Sequence, residues 1–311
     1  MDKELSRREA IRNLGVAGLV ASAPAALAAA AQTAAKPAPA TQKKSVSLGS
    51  WDTPIDMHVH VEPRSEDFAP FGTVASFIAQ DYDSRVAFMD RYSIAKSVIS
   101  PGWRYRKTEG ITNTMWMNDM AATYVAKHPD RFPAAIGIVE VHHGEASLRE
   151  LERMAKDLKL KGVAWHHADN GIQINHPYMR PLLKQAQALK LVPFIHVREK
   201  EYEAWWRLEV LAEEFPDLTF VALSGLETSD DLTHAQQIAR RRKNILMDIA
   251  PFVHGSENAI ESFVKRVGAE RLLFGTNGEA TPTLQVVRNS QLSDREKALL
   301  LSGNTEKLLG L

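Results

Sequence analysis

The stretch TPIDMHVHVEP, residues 53–63, places two histidines one residue apart. Residues i and i+2 of a strand point to the same face, so His58 and His60 project together while Met57 and Val59 project the other way. Two imidazoles on one face can present two nitrogens to one metal ion. A strand pair of this kind can equally be two hydrogen-bonded or exposed histidines, so a metal site requires a third ligand from another element.

The segment LVPFIHV, residues 191–197, offers that ligand, because His196 closes an apolar strand candidate. A buried imidazole without a partner costs free energy, and a metal ion or a hydrogen bond removes that cost. The chain has no cysteine, so only His, Asp or Glu can hold a metal ion. The sequence therefore predicts a centre on His58, His60 and His196.

Further polar residues close other strand candidates. His166 and His167 end the segment KGVAWHH and point to opposite faces, so we expect one of them, with His166 as the catalytic candidate, to face the pocket. An exposed histidine at a loop start is the alternative. Asp248 lies in the apolar segment NILMDIAP and needs a partner, either for a structural hydrogen bond or for function.

The segment PGWRYRKTEG, residues 101–110, follows the second strand candidate. Trp103 can stack on a planar ring, and Arg104 and Arg106 can clamp a carboxylate. These three residues are the substrate-binding candidates, for an aromatic or acidic substrate. A plain solvated loop is the alternative.

Composition excludes several classes of protein. The 311 residues include 38 Lys plus Arg and 38 Asp plus Glu, so no net charge attracts nucleic acid or an anionic membrane. With 44% hydrophobic residues the chain has the composition of a globular protein. We expect a small-molecule substrate and no nucleic-acid partner, and a homodimer is left open.

The N-terminal segment has the composition of a targeting sequence. Arg7 and Arg8 precede an uncharged, Ala-rich run that ends in small residues near Ala28 to Ala31, which resembles a twin-arginine export signal. We predict a signal over residues 1–31, a Pro- and Ala-rich linker over 32–50 and the folded domain over 51–311. The mature protein would be periplasmic and free of the membrane, with an uncleaved inner-membrane anchor as the alternative.

Strand and helix candidates alternate along the folded domain. The strand candidates are 53–61, 95–101, 134–141, 161–167, 191–197, 218–225, 244–251 and 271–278. Amphipathic segments such as SLRELERMAKDLK and MRPLLKQAQALK lie between them, and SDRE at 293–296 is a capping-box pattern. This rhythm favours an α/β fold, a (β/α)8 TIM barrel. A doubly wound sheet is the rival, but the usual Gly-rich loop after its first strand is replaced by HVHVEPRSED.

Several motifs, in order along the chain, resemble the amidohydrolase superfamily. They are IDMHVH, the block from GVAWHHADN to LVPFIHV, EFPDLTF, GAERLLFGTNGEATP and GNTEKLLGL. They are most similar to the amidohydrolase-related branch that includes aminocarboxymuconate semialdehyde decarboxylase. The resemblance implies a metal-dependent TIM barrel with one divalent ion, for which zinc is expected, on His58, His60 and His196.

Two positions depart from the pattern of that branch. Where it usually has a histidine that closes the sixth strand, this chain has Leu223 or Ser224. Where it usually has an aspartate that touches the metal and handles a proton, this chain has Asn277, whose carboxamide can orient water but cannot accept its proton. Glu279 is the candidate replacement base, with a solvated loop carboxylate as the alternative.

The sequence thus predicts an exported, metal-dependent hydrolase, or a decarboxylase-type lyase, that acts on a small carbonyl compound. Its proton-transfer group is altered, and Asn277, Glu279 and His166 are the catalytic candidates. A catalytically degenerate barrel that binds a ligand or a partner protein is the alternative.

Overall fold

The structure is a computed structural model that describes residues 51–63, 72–105, 107–198, 201–250, 252, 255–278 and 282–311. The predicted signal and linker, together with Arg106 and Glu279, lie outside these residues. Among the described helices, none combines the length and the apolar content that crossing a bilayer requires.

Nine strands are found in the described part of the chain. They are β1 Ile55–Val61, β2 Lys96–Pro101, β3 Ala134–Ala135, β4 Gly137–Ile138, β5 Gly162–Trp165, β6 Val192–His196, β7 Phe220–Leu223, β8 Ile245–Asp248 and β9 Leu272–Leu273. Each of the eight predicted strand segments contains a strand, and the third contains both β3 and β4, which Ile136 separates. Every pairing is parallel.

Helices follow the strands. They are α1 Val74–Arg91, α2 Ile111–Lys127, α3 Glu145–Lys156, α4 His167–Asn170, α5 Met179–Leu189, α6 Trp205–Glu214, α7 Ser229–Arg241, α8 Glu257–Val267, α9 Thr283–Asn289, α10 Asp294–Ala298 and α11 Asn304–Leu309. The predicted capping box is present, because the Ser293 side chain accepts from the backbone N–H of Glu296 and the Glu296 carboxylate accepts from the N–H of Ser293.

The strands form a three-stranded sheet, β1-β2-β3, and a six-stranded sheet, β4 to β9. Backbone hydrogen bonds connect the two sheets at both edges: Ile136 donates to Ile99 at 2.9 Å, and Met57 donates to Phe274 at 2.9 Å. The strand residues are buried on both faces, as expected where helices cover a parallel sheet. The predicted α/β fold of the TIM-barrel type is confirmed. The strands of each sheet follow one another in chain order, without the reversal of order that a doubly wound sheet has.

Candidate metal centre

The two histidines of β1 lie together, as the strand period predicts. The Nε2 atoms of His58 and His60 are 2.8 Å apart. Two nitrogens bound tetrahedrally to one zinc ion at about 2.05 Å are about 3.3 Å apart, so a shift of about half an ångström would bring both onto one ion. His58 is 1% exposed, and a carboxylate from another strand supports its ring.

That support comes from Asp248 at the end of β8. Its Oδ2 accepts a hydrogen bond from Nδ1 of His58 at 2.5 Å, and its Oδ1 accepts from the backbone N–H of Ala250 at 3.0 Å. A proton on Nδ1 leaves the lone pair of Nε2 free for a metal ion. Gly275 permits this contact, since a Cβ there would lie 2.5 Å from Oδ1 of Asp248 and 2.7 Å from Cβ of His58.

A second carboxylate orients the histidine of β6 in the same way. Oε2 of Glu203 accepts from Nδ1 of His196 at 3.0 Å, and Oε1 accepts from the backbone N–H of Ala168 at 3.0 Å. Burial raises the pKa of Glu203, but the hydrogen bond and the charge of His196 outweigh it, so the pKa lies below its usual value. This contact leaves the lone pair of Nε2 of His196 free for a metal ion.

His166 joins this group from the end of β5. Its ring centroid lies 4.6 Å from that of His196 and 5.4 Å from that of His60. Trp103 stacks on it, with centroids 3.9 Å apart and planes at 21°. His166 is 4% exposed, so the interpretation of this residue as an exposed loop histidine is wrong. His167 is also buried, but its Nδ1 donates to the carbonyl oxygen of Ile172.

Burial sets the protonation of the cluster. It is the largest cause that holds the pKa values of His60 and His166 well below their usual value, and repulsion from the neighbouring histidines adds to it. Both imidazoles are therefore neutral at physiological pH, and neutral imidazole is the form that binds metal.

The described residues contain one group of three metal-binding side chains whose ligand atoms all lie within 4.8 Å of one another, and it consists of His166, His196 and Glu203. His58 and His60 form a close pair beside it, linked through the contact of His60 with His166. The metal-ligand roles of His58, His60 and His196 stay a prediction. The donor set fits a divalent ion, because neutral imidazoles converge and carboxylates fix two of their tautomers.

The turn after β9 places the altered position 277 beside β1. Asp56 accepts from the backbone N–H and the hydroxyl of Thr276 at 3.0 and 2.6 Å. The next residue, Asn277, has φ +58° and donates its backbone N–H to the carbonyl of His58 at 2.7 Å. Its side-chain oxygen is buried without a hydrogen-bond partner. Burial raises the pKa of Asp56 to about 6, and its hydrogen bonds oppose that rise.

Ser224 occupies the other altered position, directly after β7. It has φ +53°, is fully buried, and its hydroxyl has no hydrogen-bond partner. The preceding Leu223 pairs with His196 in the β6–β7 register, so position 224 lies just beyond the level of that histidine. A histidine at this position would bring an ionisable group to the site, whereas the serine brings an uncharged hydroxyl.

The loop after β2 covers the histidines. Trp103 is half-buried, and its ring centroid lies 4.6 Å from that of His60. Arg104 is exposed, with its guanidinium carbon 5.5 Å from the Trp103 ring centroid, and its backbone N–H donates to Oε2 of Glu62 at 2.8 Å. Trp103 thus lies at the histidine cluster and Arg104 at its edge, while their substrate-binding roles stay predictions.

Sequence reasoning missed the role of Glu203. No periodic or motif signal singles it out in EKEYEAWW, since its contact with His196 exists only through the path of the loop between β6 and α6. The prediction that Asp248 has a partner is confirmed, since a carboxylate in an apolar strand requires one. Nothing in the sequence identified that partner as His58.

Comparison with known proteins assigns the family. The sequence profile of the family described as Amidohydrolase matches residues 55–311. The 2-amino-3-carboxymuconate-6-semialdehyde decarboxylase of Dictyostelium discoideum is 22% identical over 316 aligned positions, covering 86% of this chain and 87% of that protein. The resemblance stated from the motifs is therefore confirmed.

Solved structures agree on the fold. The 5-carboxyvanillate decarboxylase of Sphingomonas paucimobilis superposes with a TM-score of 0.66 at 17% identity, covering 84% of this chain and 99% of that one. The 5-carboxyvanillate decarboxylase of Novosphingobium aromaticivorans, in complex with manganese and 4-hydroxy-3-methoxy-5-nitrobenzoic acid, gives 0.66 at 14% identity, covering 83% and 96%. The profile match spans more than half of the chain, and the chain belongs to the amidohydrolase family.

Proposed function

We propose that this protein is a divalent-metal-dependent lyase that decarboxylates a small, planar, unsaturated or aromatic carboxylic acid. The observation that carries the proposal is the pair of histidine–carboxylate contacts, His58 with Asp248 and His196 with Glu203. Such pairs fix the tautomer that exposes Nε2, an arrangement typical of metal-binding histidines. His58, His60 and His196 would hold the ion, which supplies a Lewis acid that binds and polarises the oxygen atoms of the substrate.

The altered position 277 argues against hydrolysis. Hydrolysis requires a base to remove a proton from the attacking water, and the carboxamide of Asn277 cannot accept one. Loss of carbon dioxide requires no such base, because the bond to the carboxylate breaks, its electron pair stays on the ring or chain carbon, and that carbon takes one proton from water. The similarity to decarboxylases is what favours the lyase. Hydrolysis of a small ester, amide or lactone remains the second candidate activity.

The loop after β2 supports a planar, acidic substrate. The ring of Trp103 lies against His166 and His60, at the place where a flat substrate would approach the cluster. Aromatic rings stack in offset or tilted arrangements that exclude water from the site. The exposed guanidinium of Arg104 beside this ring can pair with a second carboxylate or a phenolate of the substrate.

A ligand-binding barrel without catalysis is the alternative, and two observations favour it. Ser224 and Asn277 both bring an uncharged side chain to strand ends where the family resemblance implies groups that handle protons. The hydroxyl of Ser224 and the side-chain oxygen of Asn277 are buried without hydrogen-bond partners, so a bound ligand can contact both.

The decisive experiment compares two substrate panels with zinc- or manganese-loaded protein. One panel contains hydroxybenzoates and short unsaturated carboxylates, assayed by release of carbon dioxide, and the other contains small esters and lactones. The His58→Ala, His60→Ala double variant is the matched control. Turnover of carboxylates that the control lacks supports the lyase; turnover of esters or lactones alone supports the hydrolase. Ligand binding without turnover on either panel supports the binding protein, and wild-type protein that takes up no metal refutes the proposed function.

We also propose that the protein is exported through the twin-arginine pathway and acts in the periplasm. The support is the order of the arginine pair, the apolar run and the small residues before the linker. This pathway carries folded proteins, which would suit a barrel that has bound its metal before export.

A further inference from the structure

The strongest unexplained feature of the cluster is His166, a buried histidine at a strand end with a free nitrogen. We propose that His166 is the fourth ligand of the metal ion and completes a four-histidine centre with His58, His60 and His196. This inference rests on the proposed metal-dependent function and reassigns His166 from proton transfer to metal binding.

The sheet places His166 beside His196 and near the histidine pair of β1. β5 and β6 are adjacent, and Trp165 pairs with Ile195 in their register, so the next residues, His166 and His196, leave the sheet side by side. Their ring centroids are 4.6 Å apart, and that of His60 is 5.4 Å from His166. His166 therefore neighbours both the histidine of β6 and the pair on β1.

The nitrogen of His166 is available. Its Nε2 is buried without a hydrogen-bond partner, in a side chain that is only 4% exposed. An unpartnered buried polar atom costs about 1–3 kcal/mol, and a metal ion removes that cost. Trp103 stacks on the face of the ring at 21°, and this contact holds the ring plane while its nitrogen edge stays open.

Glu203 is the competing choice for a ligand, because it completes the group with His166 and His196. Both of its oxygens are already occupied: Oε2 accepts from His196 and Oε1 from the backbone N–H of Ala168. Binding of either oxygen to an ion would break one of these hydrogen bonds. Glu203 is thus the positioning group of His196, and His166 is the available donor.

Charge balance agrees with this assignment. Four neutral imidazoles and the neutral Asn277 contribute no negative charge to a dication. Asp248 and Glu203 lie directly behind two of the ligands, and their two negative charges match the two positive charges of the ion. Buried charges are stable when they are paired in this way. An ion held by four histidines can still extend its coordination to a substrate oxygen.

The test measures metal binding by the full chain, independently of activity. Zinc and cobalt are added to metal-free protein, with stoichiometry from elemental analysis, affinity from chelator competition and coordination from the cobalt absorption spectrum. The variants are His166→Gln and His166→Asp, which supplies a replacement oxygen ligand. His167→Gln is the matched control, since His167 is adjacent and buried and its Nε2 is also unpartnered, but its Nδ1 donates to the carbonyl of Ile172 and no other histidine ring contacts it among the described residues.

We expect one ion per wild-type chain. His166→Gln should bind the ion at least about tenfold more weakly than the wild type and should show an altered cobalt spectrum. His167→Gln should bind it within about twofold of the wild-type affinity. Because loss of a group that only orients a ligand already costs about 10–100-fold, loss of a ligand should cost no less. His166→Asp should recover most of the affinity. If His166→Gln does not fold, the His166→Asp variant is the test. A metal affinity of this variant within about tenfold of the wild-type affinity supports the four-histidine centre.

Unchanged affinity and an unchanged cobalt spectrum in His166→Gln would overturn the four-histidine centre while leaving metal-dependent function intact. Two ions per wild-type chain would also overturn it, in favour of a second ion on His166, His196 and Glu203. Absence of metal from the wild type would refute the proposed function itself, which separates that failure from this one.

Discussion

Replacement of Asp248 by asparagine tests whether Asp248 fixes the tautomer of His58 that carries its proton on Nδ1. In the structure, Oδ2 of Asp248 accepts the Nδ1 proton of His58 at 2.5 Å, with both side chains at most 1% exposed. An asparagine can keep the bond from Ala250 through its oxygen, but its NH2 group then faces Nδ1 of His58 and can only donate. His58 would shift its proton to Nε2, where it blocks the lone pair that binds metal.

The magnitude follows from the bond that is lost. A buried hydrogen bond to a charged group contributes about 1.5–3 kcal/mol. Since about 1.4 kcal/mol corresponds to a tenfold change in affinity, Asp248→Asn should weaken zinc binding about ten- to a hundredfold. Loss of other groups that orient metal ligands has effects of the same size. The free energy of unfolding of the metal-free protein should fall as well, by about 1–3 kcal/mol.

The assay is chelator competition with zinc, together with thermal unfolding in the presence and absence of the ion. Asp231→Asn is the matched control, because Asp231 is equally buried and charged but caps helix α7 through Thr228. The control should lose stability of about 1 kcal/mol without a change in zinc affinity. Wild-type zinc affinity in a folded Asp248→Asn variant would refute the proposed role of the His58–Asp248 pair.

Three further predictions concern the ligands, the altered position and export. The double variant His58→Ala, His60→Ala should bind no stoichiometric metal and should lose the thermal stabilisation that metal confers on the wild type, since an ion that binds only the native state stabilises it by mass action. A metal content equal to that of the wild type, measured by elemental analysis, would place the ion elsewhere. Asn277→Asp restores a base at nearly constant volume, so it should tighten metal binding and raise ester or lactone turnover at least about tenfold, and no change in either would remove position 277 from the site. Arg7→Lys with Arg8→Lys should leave precursor in the cytoplasm, measured by cell fractionation, whereas normal periplasmic accumulation would contradict the export proposal.

The local sequence determined the elements and one part of the site. Short apolar, β-branched runs indicated the strand segments, because strands of a covered parallel sheet are buried on both faces, and apolar residues at three- and four-residue spacing indicated the helices between them. The spacing of His58 and His60 placed both on one face of β1, since the two-residue period of a strand is a local property. The motifs in order along the chain also sufficed to identify the family.

Only the tertiary structure decided what lies behind and beside these histidines. Asp248 is 190 residues from His58 along the chain and meets it because parallel strands bring their carboxyl ends to one edge. The contact of Glu203 with His196 and the stacking of Trp103 on His166 depend on loop paths that no local period encodes. Local periodicity therefore sets the direction of a ligand on its own strand, whereas its tautomer and its neighbours are set by contacts between residues distant in the chain.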